Sequence, residues 1–188
     1  MIRSPLLTLL LLIISFAAIA EDTPDGAARD FMSAYRQLGP GIALHKIVEK
    51  HVSSGFLFQL RALEAAEKIA GQCEPGPGIY EGDLLTSYAE SAERFNVLSC
   101  GVRGITARCL VALEVGSAKD GLRWKDTLIL VVERGHWRVS DVDRFKRLPR
   151  LASAEIADMI CGVAASCPDA KWPEPLFHRH CAIGRADR

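Results

Sequence analysis

The sequence predicts an α+β domain in which N-terminal helices pack on one antiparallel sheet. Two patterns predict it. Apolar residues recur at helical spacing through the first third of the mature chain, and from about Phe95 they alternate as in strands. A third observation concerns the end of the chain. There a short helical stretch and a proline-containing arm carry Cys161, Cys167 and Cys181.

The helices come first. Asp22-Thr23-Pro24-Asp25 is a polar helix start, and Ala28, Phe31, Met32 and Tyr35 then fall on one face. Gly39-Pro40-Gly41 ends this helix. Leu44, Ile47, Val48 and Val52 form a second stripe. Ser53 and Ser54 are placed to cap a third helix, whose stripe runs Phe56, Leu57, Leu60, Leu63, Ala66, Ile69 and Ala70 and stops at Gly71. The stretch CEPGPG (73–78) is a loop, because its prolines and glycines cannot continue a helix.

The strands follow. A short strand from Arg94 to Ser99 precedes a long one. In the long strand Ile105, Ala107, Cys109, Val111, Leu113 and Val115 share one side, with Thr106, Arg108, Leu110, Ala112 and Glu114 opposite. GSAKDG (116–121) is a turn. RWKDTLILVVE (123–133) is apolar on both faces in its middle, which predicts a central, covered strand. Arg134-Gly135 makes a tight hairpin into HWRVSDVD (136–143). SAEIADMICGVAA (153–165) reads as a helix capped by Ser153, and the remaining residues form an arm held by disulfides.

Residues 1–20 combine Arg3, an apolar run from Leu6 to Phe16 and an AAIA end, the pattern of a secretory signal peptide. The expected organisation is therefore a signal peptide (1–20), an α+β domain (21–148) and a cysteine-rich C-terminal appendage (149–188). Export makes the periplasm the expected compartment. It also makes disulfides the expected state of Cys73, Cys100, Cys109, Cys161, Cys167 and Cys181, with the connectivity open. Basic and acidic residues balance at 23 each. A neutral chain without a basic stripe argues against nucleic acid and against an anionic membrane surface once the signal is cleaved.

EGDLLTSYAESAERF (81–95) and WKDTLILVVERGHWRVSDVD (124–143) carry a family resemblance. Gly82–Ser87, Trp124–Val131 and Trp137–Val142 resemble, in order and spacing, motifs of uncharacterised exported bacterial proteins of the nuclear-transport-factor-2-like superfamily. The resemblance spans about residues 27–145. It departs from the family at Glu90-Ser91-Ala92, where a Gly-Pro is common. It implies a cone, with a sheet wrapped around helices and a cavity at the wide end. It also implies that Tyr80 to Phe95 leads from helices to sheet, with a bend at Gly82, Leu84, Leu85 and Tyr88 buried, and Asp83 capping a turn.

Some enzymes of that superfamily move a proton in the cone with a cavity carboxylate or histidine. The candidates for such a role are Asp83, Tyr35, Tyr88 and Asp141; packing and capping are the competing roles. His45 and His51 are six residues apart and do not share a helical face. His178, His180 and Cys181 with Cys167 have metal-binding chemistry but match no zinc spacing, so no metal and no cofactor is expected. No phosphate loop and no G-x-S-x-G elbow occurs. The expected function is a non-enzymatic periplasmic binding domain for a protein or a small apolar ligand, an inhibitor or immunity-type partner among them. A cone-type isomerase or lyase with a buried Asp/Tyr site is the alternative, and a homodimer through the sheet the third form.

Overall fold

The computed structural model describes residues 22–37, 44–73, 83–88, 92–117, 120–145, 147, 149–172 and 181. Helices α1 (Pro24–Tyr35), α2 (Leu44–Val48) and α3 (Ser54–Cys73) precede strands β1 (Arg94–Arg103), β2 (Leu113's strand, Thr106–Val115), β3 (Leu122–Glu133) and β4 (His136–Asp143), and α4 (Ala152–Ser166) follows. The strands form one antiparallel meander in the order β1-β2-β3-β4. The helices pack against this sheet, so the fold is α+β as expected. Residues 1–20, expected to be a signal peptide, Gly39-Pro40-Gly41, Gly82 and most of the CEPGPG loop and C-terminal arm lie outside the described residues.

Local chemistry accounts for the helix starts. Thr23 Oγ1 accepts the Gly26 N–H at 3.1 Å, and Pro24 takes the first helical position, where no N–H is needed. Ser53 Oγ accepts the Phe56 N–H at 3.3 Å, while the Glu133 carboxylate accepts the Ser54 N–H at 2.8 Å from the neighbouring hairpin. Arg134 and Gly135 both have positive φ (54° and 82°), as a two-residue turn matching strand twist requires. At Gly121 a Cβ would stand 2.3 Å from the Ser117 carbonyl oxygen, so only glycine closes that turn.

The inner sheet face is the one that alternation predicted. Ala107, Cys109, Val111 and Leu113 are buried beside Trp124, Leu128, Leu130 and Val139. They join Phe31, Tyr35, Phe56 and Leu60 of the helices in one hydrophobic core. Each fully buried large side chain of this kind contributes roughly 1.5–3 kcal/mol. Ile156 and Ile160 of α4 belong to the same core.

Several expectations are corrected. β1 runs on to Arg103, past the expected end at Ser99, because a bulge between Val97 and Ser99 resets its register and pairing resumes. Ile105 is 62% exposed, since it sits in the β1–β2 turn rather than in the strand. α3 continues through Gly71 to Cys73, which is bonded to Cys167 of the α4 C-terminus. Val52 leaves the second helical stripe and bridges Val139: Ser53 N–H donates to the Val139 carbonyl at 2.8 Å, and Val139 N–H to the His51 carbonyl at 2.9 Å. Ser153 lies inside α4 and does not cap it. β3 is central in the sheet, yet Thr127, Ile129 and Val131 on its second face are half-exposed.

All six cysteines are paired: Cys73–Cys167, Cys100–Cys109 and Cys161–Cys181, with Cα separations of 6.1, 4.1 and 5.4 Å. The bonds tie α3 to α4, β1 to β2, and α4 to the C-terminal segment. Among the described residues no helix is long and apolar enough to cross a membrane.

Candidate functional site

The segment Asp83–Tyr88 has no helix or strand of its own, and side chains from the sheet and the β4–α4 connection fix its backbone. Asp126 of β3 accepts the Ser87 N–H at 2.8 Å and the Ser87 hydroxyl. The same carboxylate accepts the Trp124 indole N–H at 3.0 Å and the Phe145 N–H at 3.2 Å. It is 2% exposed, so its charge is stabilised by these donors in place of water. Tyr88 packs on Trp124 with ring centroids 4.9 Å apart. The last residue of GDLLTS and both polar residues of W-x-D thus meet at one carboxylate.

Arginines hold the other side of the segment. Arg144 is fully buried and donates to the Leu84 carbonyl at 2.8 Å and the Pro149 carbonyl at 2.9 Å. It is ion-paired with Glu155 of α4, which also stands 3.5 Å from Arg147. Arg147 in turn donates to the carbonyl of Asp83. One turn of α4 is thereby tied to the loop that precedes the sheet.

The candidate residues are placed as follows. Asp83 Oδ1 accepts the Leu85 N–H at 2.8 Å, a local turn cap, and Leu84 and Leu85 are buried. Tyr35 is buried and stacked on Phe31 at 6.2 Å, in the core between α1 and the sheet. Tyr88 lies against Trp124 and packs on the same core. Asp141 accepts the Ser153 N–H at 3.1 Å and the Ser153 hydroxyl, so the acid rather than the serine supplies the anionic group at the α4 N-terminus. Asp83 and Tyr88 share one segment; Tyr35 and Asp141 are held by different elements. Asp126 and Arg144 escaped the sequence reading, although Asp126 stands within W-x-D.

His45 pairs with Glu64 at 2.7 Å. The hydrogen bond from Lys68 holds the Glu64 carboxyl below its ordinary range. Burial lowers the affinity of the His51 imidazole for a proton. His178 and His180 lie outside the described residues, among which no cluster of three metal-ligating side chains occurs.

The outward sheet face has a different character. Register aligns Arg94, Glu114 and Arg123 in one cross-strand row and Asn96, Ala112 and Lys125 in the next. Glu114 stands 3.2 Å from Arg94 and 3.1 Å from Arg123. A groove of about 360 Å³ is lined by these residues and by Phe95, Leu113 and Trp124 of the intervening, inward-facing row. Further along, Leu110, Thr127 and Ile129 form a half-exposed apolar strip flanked by Arg108, which pairs with Asp143 at 2.6 Å. The strand positions of this face carry Arg94, Arg103, Arg108, Arg123, Lys125 and Arg138 against Glu114, Glu133, Asp141 and Asp143. A chain of zero net charge thus gathers a positive surplus on one face.

No family model, curated protein or solved structure matches the chain.

Proposed function

We propose that the chain is an exported, periplasmic, non-enzymatic binding domain that uses the outward face of its sheet. The observation that carries this reading is the face itself: an apolar strip and a groove of about 360 Å³ framed by arginines and one lysine. Such a mixture suits recognition, because arginine offers both flat apolar contact and bidentate hydrogen bonds. Two buried carboxylates have structural partners: Asp126 accepts four donors, and Asp141 meets the α4 N-terminus. Three disulfides suit an oxidising compartment, and the pattern of residues 1–20 suits export. Two of the three motifs that resemble the nuclear-transport-factor-2-like superfamily, Gly82–Ser87 and Trp124–Val131, supply residues that meet at Asp126.

The test is photo-crosslinking in the native host. A benzophenone side chain at Thr127, on the strip, is compared with one at the exposed Arg61 of α3. The reading expects a discrete adduct from position 127, lost when Lys125→Glu reverses charge beside the groove. Equal adducts at both positions, or none at 127, would contradict it.

A further inference from the structure

We propose that the outer edge of β1 accepts an extended, acidic segment of a partner polypeptide as a fifth strand. This deepens the binding-domain reading and rests on it. The two sheet edges are unequal. β4 is bridged by Val52 at Val139 and by Leu151 at Asp143, whereas β1 has β2 on one side and no strand beyond it among the described residues. Leu98 and Val102 of β1 are 43% and 56% exposed.

The backbone is presented for pairing. Directly opposed antiparallel residues lie about 5.5 Å apart when they bond to each other and about 4.5 Å when they do not. Cys100 and Cys109 are opposed with Cα atoms 4.1 Å apart, which makes them the second kind. The N–H and C=O of Cys100 therefore point away from β2, as do those of Val102 two residues on. From Ser99 to Arg103 the register is regular, and the bulge lies behind it. The disulfide keeps this stretch extended before any partner arrives, which lowers the ordering cost of strand addition.

Charge selects the occupant. RFNVLSCGVR has an arginine at each end and no acid. Arg94 is paired with Glu114, and Arg108, beside Gly101 on β2, with Asp143, so among the described residues Arg103 is the cation of this edge that stands outside an ion pair. A second copy added in full antiparallel register would set Arg94 against the partner's Arg103, so like charges oppose self-pairing. An acidic strand end meets opposite charge at Arg103.

The test uses the mature oxidised chain and short fluorescent peptides of alternating valine and threonine, ended by glutamates or by lysines. Anisotropy titration is expected to show binding of the acidic peptide alone. N-methylation of alternate amides, which leaves charge unchanged, should weaken it at least about tenfold. Arg103→Glu, at an exposed position, should weaken the acidic peptide and admit the lysine peptide. Equal binding of the methylated peptide, equal binding of both charges, or no binding at millimolar peptide would overturn the proposal. So would a dimer in sedimentation that Val102→Pro dissolves. Persistence of the Thr127 crosslink while the peptides fail would remove the edge proposal and leave the binding face intact.

Discussion

Ser87 gives both its backbone N–H and its hydroxyl to the carboxylate of Asp126, thirty-nine residues away in sequence. This contact joins the loop before the sheet to the middle of the sheet. A buried carboxylate with four donors is stable only while all of them are present. Asp126→Asn places an amide N–H₂ against groups that already donate. It should cost about 2–4 kcal/mol in urea unfolding, with a change in Trp124 emission. A loss under about 0.5 kcal/mol would show that the contact does not organise the loop.

Arg144 is the second clamp. Replacing it by methionine leaves Glu155 without its buried cation and strips the Leu84 and Pro149 carbonyls of a donor. The expected loss is about 3–5 kcal/mol. Adding Glu155→Gln should restore part of it, because the orphaned charge is removed, and a double-mutant cycle measures that coupling.

The disulfides should rank by the loops they close. Cys73–Cys167 has a sequence separation of 94, Cys161–Cys181 of 20 and Cys100–Cys109 of 9. Chain entropy gives about 4–5, about 3 and just under about 3 kcal/mol in that order. Paired Cys→Ser variants compared in guanidinium test the ranking. Denatured, unreduced protein should contain no reactive thiol.

Stability should fall in mild acid. Burial, aided by Arg138 and Lys50 against the opposing Asp30, lowers the His51 pKa below 6.5. The unfolded chain therefore takes up this proton first. The contribution of neutral His51 is intact above the unfolded value and is lost as pH falls through the lowered folded one. Glu133, held below 4.5 by its hydrogen bonds with Ser54, adds a second loss at lower pH with the same sign. Melting temperature followed across mild acid should drop in wild type and drop less in His51→Gln. An unchanged slope in the variant would assign the loss to other groups.

Much of the fold was legible because burial writes a period into the chain. Ala107, Cys109, Val111 and Leu113 alternate as they do because one face meets helices. Thr23 and Gly135 carry their roles in their own chemistry. The clamp was hidden for the opposite reason. Asp126 looks like any strand acid until Ser87 is brought to it, and Arg144 reads as a surface cation until α4 covers it. The outward face was equally silent, because charge summed along the chain cancels while cross-strand register separates it. Ser153 was read as a cap because a local rule cannot see Asp141 arriving from β4.

The most direct test of the central claim is a crystal structure of the protein recovered, with whatever it carries, from its own host. The account predicts density over Ala112 and Lys125 on the outward sheet face. Density enclosed between the sheet and α1, beside Tyr35, with the outward face bare, would contradict it.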